Sequence, residues 1–190
     1  MRRSSLLAAL ARVIARTGLA LVVALLLVPE ATARPVATIV SKRYAYSLAL
    51  PGSPSRWLSH LATANWTSAF IGSPNSPDLD TFSDTQSGRF YLIAASPTTS
   101  HLQGWTMHVI SARPSPPCGQ PHMLPNSTLG GAAARIATWS CTDGYKVFVT
   151  TALHAHRGYM MLLASPTTLS ASADLHAFDA ARRSLHFLQR

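Results

Sequence analysis

The stretch from Ala133 to Ala164 constrains the fold more than any other part of the chain. Ala133–Cys141 (AARIATWSC) and Tyr145–Leu153 (YKVFVTTAL) are rich in β-branched and aromatic residues and are separated by Thr142-Asp143-Gly144. Asp-Gly between two such runs is a strong hairpin signal, because the turn needs positive φ and glycine adopts it without a steric penalty. A second turn, His154-Ala155-His156-Arg157-Gly158, leads into another apolar run, Tyr159–Ala164. Neighbouring strands joined by connections this short lie antiparallel. The chain therefore contains a three-stranded meander, which Ser165-Pro166 closes.

The rest is assigned around that meander. Arg43–Leu50 (RYAYSLAL) alternates, with Tyr44, Tyr46, Leu48 and Leu50 on one face, and reads as a half-buried strand ended by Pro51-Gly52-Ser53-Pro54. In Ser55–Ala64, Trp57, Leu58 and Leu61 have helical spacing, which predicts one or two helical turns. Trp66–Ile71 reads as a strand and Gly72–Ser87 as a loop. Arg89–Ala95 is apolar on both faces and belongs in the middle of a sheet. Ser96–Ser100 opens a helix whose Leu102, Trp105, Met107, Val109 and Ile110 fall near one stripe, with a Ser or Thr hydroxyl as cap. Pro114–Pro125 is a proline-rich loop. Thr168–Arg183 is a helix with Leu169, Leu175 and Phe178 inward, and Ser184–Leu188 is a short last strand. The class is α+β, a mainly antiparallel sheet of about six strands with helices packed on it in an α/β/α sandwich.

The front of the chain is an export signal by its pattern. Arg2, Arg3, Arg12 and Arg16 precede the uncharged run Gly18–Val28, Pro29 breaks it, and Ala31-Thr32-Ala33 has the small-x-small form that signal peptidase reads. Residues 1–33 are thus expected to be a signal peptide cleaved near Ala33, residues 34–42 a flexible leader, and residues 43–190 one domain. An uncleaved anchor is the alternative, although the run is about half of the roughly 20 residues a spanning helix needs. No stable membrane span is expected after cleavage. The mature chain is secreted or extracytoplasmic on this reading.

In an oxidising compartment the only two cysteines, Cys118 and Cys141, read as one disulfide. Free buried thiols, or a zinc site using Cys118 and His122, are the alternatives. The formal charge of +9 falls to about +6 without residues 1–33. No basic run exceeds two residues, which argues against nucleic-acid binding. A mild preference for anionic envelope polymers or lipid headgroups is compatible with that charge.

Two motifs carry a family resemblance. Tyr46-Ser47-Leu48-Ala49-Leu50-Pro51, followed by Trp57, resembles the first strand and its exit in PsbP-like domains. Phe178-Asp-Ala-Ala-Arg-Arg-Ser-Leu-His-Phe187 resembles their last helix running into a terminal strand. The resemblance covers most of Arg43–Phe187 and includes exported, LpqN-like bacterial members. It implies an antiparallel sheet sandwiched by helices and a generally non-enzymatic role. No residue here matches a known interface, so no partner carries over. The cysteine pair and the missing lipid-attachment cysteine depart from the lipoprotein members.

Reactive constellations are sparse. His154 and His156 lie two apart, so both can face one side and share a metal, with His122 or Asp143 as a third ligand. Two exposed turn residues are the plainer reading. There is no G-x-S-x-G and no H-E-x-x-H. After residue 33 the only carboxylates are Asp78, Asp80, Asp84, Asp143, Asp174 and Asp179. The first three share one loop that is expected to be solvated and able to bind calcium only weakly. Trp57, Trp66, Trp105 and Trp139 are expected in the core rather than in a ligand platform. The function these features point to is an exported, non-enzymatic binding or assembly module. It needs no cofactor, and its partner is a protein or envelope component. The alternative is a small secreted hydrolase or metal-binding protein using His154 and His156.

Overall fold

The structure is a computed structural model and describes residues 36–113 and 118–189. The expected signal peptide and cleavage point lie outside them. The meander sits where the Asp-Gly turn puts it: β7 (Ala132–Ser140), β8 (Tyr145–His154) and β9 (Arg157–Pro166) pair antiparallel in sequence. On the far side of β9 lies β5 (Phe90–Pro97), then β4 (Asp80–Asp84) and β3 (Trp57–His60). On the far side of β7 lies β6 (His122–Leu129). A second, three-stranded sheet has β2 (Tyr46–Pro51) between β1 (Val36–Ser41) and β10 (His186–Phe187). Every pairing is antiparallel, in two sheets of seven and three strands rather than one of about six.

Two helices cover opposite faces of the large sheet. Thr151 and Phe148 on β8 differ by an odd number of residues and so point to opposite sides. Thr151 bonds Thr106 of α1 (Leu102–Ser111) at 2.7 Å, whereas the Phe148 ring meets Phe178 of α2 (Ala171–Ser184) at 5.7 Å. The small sheet joins α2 on its face: Tyr44, Tyr46, Leu48 and Leu50 are all buried, and the Tyr159 hydroxyl donates to Tyr44 O at 2.9 Å. The result is α+β with the sheet between helical layers.

Several local expectations are corrected. The leader is not loose from Val36 onward, because its backbone completes the ladder of β2. Ser55–Ala64 is not helical beyond a single 3-10 turn at Pro54–Arg56. Trp57 buries its ring and donates to Pro51 O, Leu58 stays 66% exposed, and Trp57–His60 pairs antiparallel with β4 as an edge strand. Trp66–Ile71 is irregular. Ser68 has φ 61, and the Trp66 indole donates back to Phe70 O, folding the segment on itself. Gly72–Ser87 conceals β4. The proline-rich loop ends early, at His122, where β6 begins. The cap of α1 is His101, whose ring nitrogen accepts from Gly104 N. Met107 and Leu175 face solvent, while Thr106 and Asp174 take inward positions.

Candidate functional site

Of the three carboxylates expected in a solvated loop, Asp78 stays in the loop before β4, whereas Asp80 and Asp84 are structural. Asp80, Phe82 and Asp84 alternate onto the buried face of β4, and both aspartates are essentially unexposed. Asp80 accepts from the Tyr46 hydroxyl at 2.7 Å and from Ala62 N at 2.7 Å, and burial beside it pushes the Tyr46 hydroxyl up. Burial alone would raise the pKa of Asp84. The bidentate Arg56 contact (2.7 and 2.5 Å), the Ser87 hydroxyl and Gln86 N overcome that and hold it at about 2. Asp174 is likewise pulled down against its burial, by Ser165, Lys146 and Arg89. Asp80 and Asp84 therefore do not offer a calcium loop, since their oxygens are already engaged.

The histidine pair lies at one end of the large sheet. His154 ends β8 and stacks on the Phe187 ring (4.3 Å, 10°), and His156 sits in the two-residue turn to β9. The suggested third ligands are elsewhere. Asp143 is at the other end of the ten-residue β8, roughly 30 Å away by strand rise. His122 pairs opposite Thr138, which pairs opposite Phe148, six positions from His154. Among the described residues no three His, Cys, Asp or Glu side chains gather as a metal site.

The cysteines are joined, as the even count implied. Cys118 and Cys141 form a disulfide across an isolated antiparallel bridge with Cα atoms 3.9 Å apart. The bridge fixes the segment before β6 against the end of β7, where Gly119 N donates to Ser140 O at 2.9 Å.

That disulfide is one wall of a groove. On the α1 side of the sheet the inward residues are Phe90 and Leu92 of β5, Leu162 and Ala164 of β9, Tyr145 and Val147 of β8, and Trp139 of β7. The helix covers only the other end of this face, where Trp105 lies against Gly158. The uncovered end becomes a groove of about 470 Å³, closed laterally by Cys118–Cys141 and by the Phe70–Pro74 segment. Phe70 is 57% exposed at its rim. Trp139 is 4% exposed, in keeping with its assignment to the core. Its indole nitrogen has no hydrogen-bond partner, the only such buried side-chain atom among the groove's lining residues. Among the described residues Asp143 is the one charged residue lining the groove. Sequence reading does not find this site, because its lining comes from five separate stretches, 70–74, 90–92, 118, 139–147 and 162–164, that only the fold brings together.

Comparison with solved structures places the architecture. The chain matches the solution structure of cyanobacterial PsbP (CyanoP) from Synechocystis sp. PCC 6803, with TM-score 0.52 and 11% identity over 83% of this chain and 95% of that one. The chain has a PsbP-like fold. Weaker likenesses are to a crystal structure from Bacteroides thetaiotaomicron VPI-5482 (TM-score 0.49, 9% identity, 80% of this chain and 48% of that one) and to LpqN of Mycobacterium tuberculosis, described as involved in cell envelope biogenesis (0.38, 10%, 84% and 88%). No protein-family model matches the sequence, and no curated protein does. The PsbP-like resemblance of the two terminal motifs thus holds for the fold. The first motif is β2 and its exit to Trp57, and the second is α2 running into β10.

Proposed function

We propose that this chain is a non-catalytic binding module working outside the cytoplasm, and that the groove beside the disulfide takes a largely apolar small molecule without an acidic group. The groove itself carries this reading. A sheet face that a helix would ordinarily cover is left open, lined by aliphatic and aromatic side chains, and sized within the range of ligand pockets. The acidic rim at Asp143 disfavours an anion, and the aliphatic and aromatic lining favours an apolar molecule. The disulfide and the signal-like front of the chain support an extracytoplasmic setting.

The test is a titration of the mature protein with Nile red. Saturable fluorescence enhancement is expected. Phe70→Asp, which places a second carboxylate at the rim, and Ser73→Trp, which fills the mouth, should each weaken it at least about tenfold, with unchanged melting temperature. No saturable binding, or binding indifferent to both variants, refutes the groove as the site. Export is checked separately by N-terminal sequencing of the secreted protein, which should begin at Arg34.

A further inference from the structure

A different pocket, at the opposite end of β9, has the reverse chemistry. It measures about 270 Å³ and lies between the β8–β9 turn and the segment that leads from β5 to α1. Its polar lining is Thr98, Thr99 and Ser100 on one side and His154, His156 and Arg157 on the other. Thr98 N donates to His156 O at 3.2 Å and ties the two sides together. Among the described residues no carboxylate lines it. Asp84, Asp174 and Asp179 are ion-paired elsewhere, Asp80 is held by Tyr46 and Ala62, Asp78 accepts from the Ser76 hydroxyl in the loop before β4, and Asp143 sits at the far end of β8.

Two observations make this more than a polar surface. The guanidinium of Arg157 donates to the carbonyl oxygens of Arg43 and Ala95, both at 3.3 Å, and lies over the Tyr44 ring. It has no carboxylate partner among the described residues. Its Nε is buried and unpartnered. A fixed cation without a counter-ion beside a pocket of hydroxyls and imidazoles attracts negative charge. Second, the turn holds Ala155 and His156 at φ 47 and 59. A two-residue turn of this form ordinarily uses Asn-Gly. Here it carries an imidazole to the pocket in a backbone conformation that a β-carbon disfavours.

We propose that this pocket binds a phosphate-type oxyanion, with the Thr99 and Ser100 hydroxyls and the His154 and His156 imidazoles as hydrogen-bond donors and Arg157 as the compensating charge. It is a site separate from the apolar groove, roughly 20 Å away along β9, and neither depends on the other. The donors suit a free phosphate ester and a phospholipid headgroup alike.

The experiment titrates the mature protein with inorganic phosphate, with glycerol phosphate, and with phosphatidylcholine vesicles made with and without phosphatidylglycerol. Binding is read by calorimetry and by amide shifts of Thr99, Ser100 and His156. His156→Asn keeps a residue that tolerates the left-handed turn and removes the imidazole. It and Thr99→Ala are each expected to weaken binding about tenfold, the loss of one charge-assisted hydrogen bond. Arg183→Ala, an exposed cation on α2, should change nothing. Binding of soluble phosphate that is sensitive to His156→Asn supports the site with a free ester as ligand. The same sensitivity with much tighter binding to the anionic vesicles supports it with a headgroup. No binding to any of the four, or equal losses from Arg183→Ala and His156→Asn, overturns it.

Discussion

Trp105 and Gly158 form the contact on which the α1 layer rests, and Gly158→Ala tests it. A β-carbon built at Gly158 falls 2.2 Å from Trp105 Cε2 and 2.3 Å from Cδ2, both on the rigid ring. Ordinary carbon contact requires the indole to withdraw by roughly 1.3–1.8 Å. Trp105 is buried, and its Nε1 donates to Tyr159 O at 2.9 Å, so withdrawal breaks that bond. Overpacking of a filled core costs about 1–3 kcal/mol, and the lost hydrogen bond adds about 1 kcal/mol. The variant should be destabilised by about 2–4 kcal/mol in urea unfolding. For a domain of this size that lowers the melting temperature by roughly 5–15 °C. Gly131→Ala is the control, since its β-carbon meets nothing within 4 Å and only its φ of 83 resists substitution. In a Trp105→Leu background the cost of Gly158→Ala should fall below about 0.5 kcal/mol, because the coupled partner is gone. A Gly158→Ala protein as stable as the parent, or a cost unchanged by Trp105→Leu, would show that α1 does not pack on β9 in this way.

Three further outcomes are expected. Asp84 has its folded pKa depressed to about 2, so the unfolded chain binds more protons near pH 3. The Arg56–Asp84 contribution is therefore fully present above about pH 4 and is lost as pH falls toward 2, and acid titration of Asp84→Asn should lack that part of the transition. Reduction of Cys118–Cys141, or its replacement by serines, should lower stability by about 3.5 kcal/mol from loop entropy, read from urea midpoints with and without reductant. The double change Ala155→Asn with His156→Gly supplies the residues the β8–β9 turn favours and should raise stability by about 1 kcal/mol while weakening phosphate binding, checked by calorimetry.

The legible parts of this fold were those in which local chemistry and buried face agree. The meander announces itself through Asp143-Gly144 and its β-branched runs, and β5 through continuous apolarity that matches burial on both faces. β4 was hidden because two of its three residues on one inward face are aspartates, whose burial depends on Tyr46 and Arg56 far away in sequence. β6 was hidden by Pro125 and by a register shift between Leu124 and Ser127. β1 is an edge strand with Val40 half exposed, so no core pattern marks it. At the sites, pairing of the cysteines followed from their number. That Trp139 has an unpartnered nitrogen, and that Thr98–Ser100 meets His156, depends on strands distant in sequence being brought side by side. The spacing of His154 and His156 suggested a metal, whereas the residues that the fold brings to them are the Phe187 ring, hydroxyls and an arginine.

The small sheet has a bearing on when folding can finish. β2 lies between the first strand and the last, with Phe187 opposite Tyr46 and Leu188 N donating to Ala45 O. Ser184 also bonds both backbone groups of Ala49. A nascent polypeptide not yet extended through the end of α2 and β10 leaves that flank of β2 bare and the apolar side of the large sheet incompletely covered. Completion thus waits for β10, so the small sheet that β1 and β2 begin closes only after all the strands of the large sheet have been made.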